Sequence, residues 1–173
     1  MSMTRRAGLV GAMSALAGCG FRPLYAPMSR GGVVSEELQA IYVAVMAERS
    51  GQLLRQALQR RFEGSGSGVA KKYELYGGLS ISAEAIAIQR DTSSTRVRLI
   101  GTANWGLRML NVAQTSITTG TARSIDGYNV NNQEYFAAEL EQGTAFRRIA
   151  ESTADQITLD VASFLKKRAE AAA

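Results

Sequence analysis

The chain has 173 residues, of which 46% are hydrophobic and 20% are charged. These values are typical of one globular domain, and the length leaves little room for a second. The single cysteine and the absence of histidine exclude an intramolecular disulfide, catalysis by Ser/His/Asp or Cys/His groups, and most zinc sites. The formal net charge of +5 favours an anionic partner; the alternative is that the excess charge only keeps the surface soluble.

The first 18 residues are typical of a secretory signal peptide. Arg5 and Arg6 precede eleven small or apolar residues, 7–17, a run far shorter than the ~20 residues of a membrane-spanning helix. We expect residues 1–18 to be removed, which lowers the net charge from +5 to +3 because two arginines and no acidic residue are lost. The arginine pair is compatible with Sec or twin-arginine export and does not distinguish them.

Cys19, the only cysteine, ends this segment in the stretch Leu16-Ala17-Gly18-Cys19. These residues resemble the lipobox of bacterial lipoproteins, in which the cysteine thiol is alkylated with diacylglycerol and becomes the first residue of the mature chain. We therefore predict diacylglycerol and an N-acyl chain on Cys19, which would anchor the protein to a membrane. The alternative is an ordinary buried cysteine.

The next segments are predicted as a tether, a strand and a helix. Residues 19–37 contain both prolines and should be extended, because proline disfavours helix at the preceding residue. Apolar residues then alternate on both faces of residues 38–48, which predicts a strand covered on two sides. An amphipathic helix follows, capped by Ser50 and ended by Gly64. The glycine-rich residues 64–68 are predicted to be a flexible loop.

Three β-type stretches and a long helix complete the chain. Residues 71–89 alternate with a change of phase near Glu84, which indicates a bulge. Residues 95–110 carry the clearest alternation, with apolar and polar side chains on opposite faces, and residues 114–130 are rich in threonine and serine. From about Glu134 the pattern is helical, although Gly143 interrupts its start, and residues 169–173 should fray.

The predicted order is therefore β-α-β-β-β-α. We interpret it as an α+β fold, a two-layer sandwich in which a four-stranded, mostly antiparallel sheet is covered on one face by two helices. The domain would span residues 38–168.

Three arginines are the candidate binding residues. Arg90, Arg96 and Arg98 flank the predicted turn at residues 89–94, and Arg96 and Arg98 share the polar face of one strand. Guanidinium groups pair bidentately with phosphate, so the cluster could bind phosphate groups. The alternative is a solvated strand face that prevents aggregation. No catalytic group or metal site is evident, and an exported, acylated protein does not meet nucleic acid.

Two segments carry a family resemblance. Cys19-Gly20-Phe21-Arg22-Pro23-Leu24-Tyr25 after an export signal, and more weakly residues 124–130, "SIDGYNV", resemble the LptE family of lipopolysaccharide-assembly lipoproteins in its alphaproteobacterial form. The resemblance implies a non-catalytic lipoprotein on the periplasmic side of the outer membrane, without a cofactor other than its acyl chains. It also implies that the chain plugs the lumen of the β-barrel LptD, assists its assembly and helps to deliver lipopolysaccharide to the outer leaflet.

Lipopolysaccharide binding in this family is attributed to basic residues near strand ends, and the choice of Arg90, Arg96 and Arg98 is our inference from the pattern. Two other functions remain open. The first is a stand-alone periplasmic lipoprotein that carries or chaperones an anionic lipid. The second is a periplasmic hydrolase, for which the sequence offers no nucleophile and base.

Overall fold

The computed structural model describes residues 31–63, 68–88, 94–130 and 135–171. Cys19 and Arg90, two of the predicted site residues, lie outside this part of the chain. The described elements, in chain order, are α1 (Gly31–Gln39), β1 (Ile41–Val43), α2 (Glu48–Glu63), β2 (Tyr73–Ile88), β3 (Ser94–Met109), β4 (Ser116–Asn129) and α3 (Tyr135–Ala171).

The four strands form one sheet in the order β1-β2-β3-β4. The short strand β1 runs parallel to β2, with Ile41 opposite Tyr73, and the two longer pairs are antiparallel. Helices α2 and α3 pack on the sheet and on each other. This arrangement confirms the predicted α+β fold, with one further helix, α1, before the first strand.

The core lies between one face of the sheet and these helices. Odd-numbered residues of β2 and β3 and even-numbered residues of β4 point into it, as strand alternation requires. The helices contribute the apolar stripes whose burial is the main favourable term in folding. The largest fully buried side chains of the core include Leu54, Leu58, Phe62, Leu75, Leu99, Leu107, Ile149, Ile157 and Val161.

Helix α3 approaches the sheet closely at Gly101. A Cβ atom at this position would collide with Cγ2 of Ile149, so the absence of a side chain sets the spacing between helix and strand. One turn further along α3, the buried Ser124 hydroxyl of β4 lies 2.8 Å from Oγ1 of Thr153 and donates to the Ile149 carbonyl at 3.2 Å. These contacts fix the register of α3 on the sheet.

Helices α2 and α3 are also joined through Arg61. Its guanidinium group donates to Glu151 at 2.9 Å and to Asp155 at 2.7 Å, and it also donates to the Glu151 and Ala57 carbonyl oxygens. Burial opposes ionisation of Glu151, but hydrogen bonds from Arg61 and Arg60 keep the pKa of that carboxyl below its ordinary value. Glu151 therefore stays ionised at neutral pH and holds the two helices together.

Two expectations for the first part of the domain are wrong. Residues 31–37, predicted as tether, are already helical in α1, which packs on α3. The prolines that suggested an extended chain precede this helix and do not interrupt it. Strand β1 is only three residues long and is covered on one side: Ile41 and Val43 are buried, whereas Tyr42 is 36% exposed.

The remaining differences concern the ends of elements. Helix α3 runs through Gly143 and continues to Ala171, so residues 169–171 are helical where fraying was expected. The predicted bulge near Glu84 lies one to three residues later, where the register shifts between Ala85 and Ile88. Within the described ranges, no helix combines the length and the apolar character needed to cross a membrane.

Candidate functional site

One end of the sheet is only partly covered by the helices, and we call it the arm: residues 81–88 of β2 and 94–98 of β3. From Ser82 to Ile86 every side chain of β2 is exposed, on both faces of the strand. Leu79 and Leu99 are the last buried residues before the arm on the two strands. The arm carries Arg96 and Arg98, two of the three predicted arginines.

Arg96 and Arg98 both lie on the face of β3 that points away from the helices. Arg98 pairs with Glu84 across the strands at 3.9 Å, and the two side chains are 47% and 52% exposed. An ion pair this long and exposed contributes little to stability, so the Arg98 guanidinium can exchange its partner at low cost. The structure thus brings these two predicted arginines together, and their ligand-binding role stays a prediction.

A cleft of about 430 Å³ opens beside Arg96, between the end of the sheet and the first turns of α3. Its walls are partly basic and partly apolar, with one acidic side chain. The lining residues are Arg96, Gly127, Tyr128, Asn129, Leu140, Glu141, Thr144 and Arg148.

Arg148 enters this cleft from α3 and is held there by Asp126 of β4. The guanidinium group donates two hydrogen bonds to the carboxylate, from Nε at 2.6 Å and from Nη2 at 3.2 Å. Burial opposes ionisation of Asp126, but the bonds from Arg148 and from the Gly127 N–H keep its pKa below the ordinary value. The sequence placed Arg148 on the outward face of a helix, and nothing in it signalled a partner on β4.

The sheet face opposite the helices carries mostly polar side chains, with Ile86, Ile100 and Ile125 among them, and is not covered by any described element. Arg108 donates to Glu74 at 2.6 Å and lies 5.0 Å from the centre of the Tyr76 ring, an arrangement typical of a cation–π contact. Thr121 and Asn104 are joined by a 3.0 Å hydrogen bond. Further hydroxyl and amide groups follow along the strands, so this face offers many donors and acceptors to a partner.

Metal ligands are not clustered in this region. In the part of the chain that the structure describes, no group of three or more histidine, cysteine, aspartate or glutamate side chains could hold a metal ion.

Comparisons with known proteins agree with this architecture. No curated protein sequence matches the chain at a significant level. A structure from Caulobacter crescentus CB15, described as that of a lipoprotein, is 26% identical, covers 79% of this chain and 97% of its own, and superposes with a TM-score of 0.63.

Two more distant structures share the fold alone. The rare lipoprotein B of Shewanella oneidensis is 12% identical over 71% of this chain and 93% of its own, with a TM-score of 0.56. The minor lipoprotein of Acinetobacter baumannii is 14% identical over 72% of this chain and 92% of its own, with a TM-score of 0.51.

The family model for lipopolysaccharide assembly, LptE, matches residues 38–161. The match includes β1, α2, all three long strands and most of α3, and thus more than half of the chain. This family consists of non-enzymatic envelope lipoproteins with a role in lipopolysaccharide assembly. The chain therefore belongs to the LptE family.

Proposed function

We propose that this protein is an outer-membrane lipoprotein that plugs an LptD-type β-barrel, helps to assemble it and assists lipopolysaccharide delivery to the outer leaflet. In this proposal it lies on the periplasmic side, is anchored through acyl chains on Cys19, and acts without catalysis or any other cofactor. Family membership gives the role in lipopolysaccharide assembly. The observation that best supports the plug function is the open, mostly polar face of the sheet.

A barrel lumen is polar, so a protein inside it must present hydrogen-bonding groups to the wall. The face opposite the helices meets this requirement with side chains such as Thr102, Asn104, Thr121 and Arg123, which are exposed or half-buried. The apolar core side is already covered by α2 and α3. The open face is consequently the part of the fold that suits a luminal partner.

Lipopolysaccharide carries phosphate groups, which suit the basic end of the arm. Arg96 and Arg98, with Arg90 beyond the described part of β2, supply guanidinium groups that can pair bidentately with phosphate. Arg98 gives up only a weak 3.9 Å contact with Glu84 to do so. We propose these three arginines as the lipopolysaccharide-binding residues, with the cleft beside Arg96 as a neighbouring surface.

The stand-alone carrier receives less support from the cleft. Its volume of about 430 Å³ lies at the lower end of the 300–1,000 Å³ typical of pockets for drug-sized ligands. A lipid with several acyl chains needs far more enclosed apolar volume than this. A subunit that contacts lipopolysaccharide together with a barrel needs no such cavity.

Affinity purification tests the plug. A C-terminally tagged chain is produced in its native membranes, solubilised in mild detergent and purified, and the co-purifying polypeptides are identified by mass. We expect an outer-membrane barrel in roughly equal amount. A chain that purifies alone, stable and loaded with lipid would contradict the plug and favour the carrier.

A charge-reversal pair tests the arginines. The variant Arg96→Glu/Arg98→Glu should lose about tenfold or more in affinity for lipopolysaccharide, because phosphate is repelled where it was paired. The control Arg49→Glu/Lys167→Glu changes the net charge equally at two exposed positions outside both the arm and the open face of the sheet. Equal losses in the two variants would mean that only the overall charge matters.

A further inference from the structure

The cleft between the end of the sheet and α3 is lined by two kinds of charged group. The guanidinium groups of Arg96 and Arg148 supply N–H donors, whereas the Glu141 carboxylate supplies only acceptors. The volume of about 430 Å³ is sufficient for a small polar ligand. A ligand that satisfies the whole lining must therefore present acceptors on one part and donors on another.

Arg148 is held in place by a residue that is not part of the lining. Asp126 accepts from Nε at 2.6 Å and from Nη2 at 3.2 Å. A guanidinium group carries five N–H donors, so three remain, and they meet no acceptor within the described part of the chain. The Arg148 side chain is 53% exposed, so a ligand can reach these donors. Because Asp126 already orients the group, a ligand does not have to order it on binding.

The remaining donors of Arg148 suit phosphate. Guanidinium groups pair bidentately with phosphate oxygens, and such charge-assisted hydrogen bonds are stronger than neutral ones. The pairing uses an edge of the guanidinium group that Asp126 leaves available. Arg148 can therefore bind the anionic part of a ligand without giving up its contact with β4.

Overall charge alone does not attract an anion to this cleft. Asp126 pairs with Arg148, and Glu141 lies near it, since hydrogen bonding to Asp126 and, to a lesser degree, the charge of Glu141 raise the pKa of Arg148. These two carboxylates balance the charges of the two lining arginines. A bare phosphate ion would be paired by Arg148 and repelled by Glu141, so the lining favours an anion that also carries hydrogen-bond donors.

A sugar ring has the groups that the rest of the lining requires. Its hydroxyl groups can donate to the Glu141 carboxylate and to the side-chain amide oxygen of Asn129, both on exposed residues. The Thr144 hydroxyl donates to the Leu140 carbonyl at 2.9 Å and can still accept. Tyr128 is half-buried and Leu140 is 75% exposed, so both offer apolar surface to the C–H groups of a ring.

We propose that the cleft binds a phosphorylated sugar unit, with the phosphate on Arg148 and the sugar hydroxyl groups on Glu141 and Asn129. The biological source of this unit rests on the proposed function, because lipopolysaccharide carries phosphorylated sugars in its lipid part and in its core saccharide. The inference adds Arg148 as a binding residue and Asp126 as a positioning residue. The sequence pointed to neither role.

A pair of conservative variants tests the bidentate contact. Binding of glucosamine 1-phosphate to the purified full chain in detergent is followed by ligand-observed NMR. Arg148→Lys should bind about tenfold more weakly than the parent, because lysine keeps the charge and loses the planar fork. The control Arg49→Lys makes the same change at an exposed residue of α2 outside the lining and should bind as the parent does. Equal affinities of the two variants would overturn the proposal.

Asp126→Asn separates positioning from charge. The variant removes a negative charge beside Arg148, so an effect of charge alone would tighten the binding of glucosamine 1-phosphate. Loss of the orienting contact should instead weaken it about threefold or more, since the arginine must then be ordered on binding. Urea unfolding at neutral pH checks that the variant is folded. Tighter binding by the folded variant would show that Asp126 has no positioning role.

A set of probes tests the class of ligand. Glucosamine 1-phosphate should bind at least about tenfold more tightly than glucosamine or inorganic phosphate, because each of these makes only part of the contacts. Delipidated, phosphorylated core oligosaccharide is the second phosphorylated probe. The phosphorylated probe that binds more tightly identifies the part of lipopolysaccharide that the cleft takes. Inorganic phosphate that binds as tightly as both, or no binding of either phosphorylated probe, would contradict the proposal.

Barrel co-purification is measured in parallel with the parent and with Arg148→Lys. The cleft lies beside α3 and away from the open face of the sheet, so the variant should retain the barrel as the parent does. A chain that retains the barrel and does not bind the phosphorylated probes contradicts only this inference. A parent that binds these probes and purifies without a barrel contradicts only the plug.

Discussion

Adding one methyl group at Gly101 should measurably destabilise the fold. The new Cβ atom of Gly101→Ala would collide with Cγ2 of Ile149, while its next neighbours, the Leu79 and Ser124 side chains, lie at an ordinary 3.4 Å. Overpacking of a core costs about 1–3 kcal/mol. Replacement of glycine by alanine stabilises the protein by about 0.4–1 kcal/mol, because it lowers the conformational entropy of the unfolded chain. The net loss should therefore centre on about 1 kcal/mol and stay below about 2.6 kcal/mol.

Gly78→Ala is the matched control in the same sheet. Gly78 lies on the opposite face, and a Cβ atom there would meet no heavy atom within 4 Å. This variant should be neutral or slightly stabilised, because only the effect on the unfolded chain remains. The two glycine variants should therefore differ in free energy of unfolding by about 1–3 kcal/mol.

Urea unfolding followed by tryptophan fluorescence measures this difference. The chain has one tryptophan, Trp105, and it is buried, so its emission reports on the core. In Gly101→Ala/Ile149→Ala the clashing methyl group is gone, and the loss should be less than the sum of the two single losses. If Gly101→Ala is as stable as Gly78→Ala, the close helix approach at Gly101 is refuted.

Three further predictions concern buried or paired polar groups. Ser124→Ala should cost about 1–3 kcal/mol in urea unfolding, because the fully buried Thr153 hydroxyl loses its 2.8 Å partner; an unchanged midpoint would contradict this. The pKa of Asp126 in the folded chain is lowered from 3.8. The contribution of its carboxylate to the free energy of unfolding is therefore fully present above pH 3.8, and it is lost as the pH falls through the lowered pKa. The stability gap between the parent and Asp126→Asn should shrink in urea titrations over that acid range, and a constant gap would argue against the pair with Arg148. Burial raises the pKa of Tyr73 from 10.0 to about 12, so stability should fall as the pH rises between these values, and Tyr73→Phe should fall less.

The sequence predicts the layers of this fold, because the periodicity of apolar residues within a strand or helix is set locally. The alternation in residues 95–110 identifies the buried side of β3, and the structure buries Leu99, Ala103 and Leu107 there. The helical stripe around Phe62 likewise predicts α2. In both segments a residue's neighbours along the chain determine its environment.

Errors arise where a distant segment determines the structure. Ser50 was expected to cap α2, but the helix starts at Glu48 and the Ser50 hydroxyl instead binds the Leu79 carbonyl on β2. Residues 31–37 are helical because α1 packs on α3, and no local pattern in the sequence predicts that contact. Arg148 was predicted to face solvent, because nothing in the sequence marks Asp126, 22 residues earlier, as its partner.

The division between covered and uncovered parts of the sheet connects the fold with the proposed roles. The helices cover the sheet as far as Leu79 and Leu99 and give it a rigid core. Beyond them, Ile81 and Val97 of the arm still pack on the edge of the core. Arg96 and Arg98 belong to the opposite face of the arm, so the residues that stabilise the arm and those proposed to bind phosphate lie on different faces. Charge reversal at Arg96 and Arg98 should therefore weaken lipopolysaccharide binding and leave the midpoint of urea unfolding nearly unchanged. A large loss of stability would mean that the two arginines also hold the arm in place.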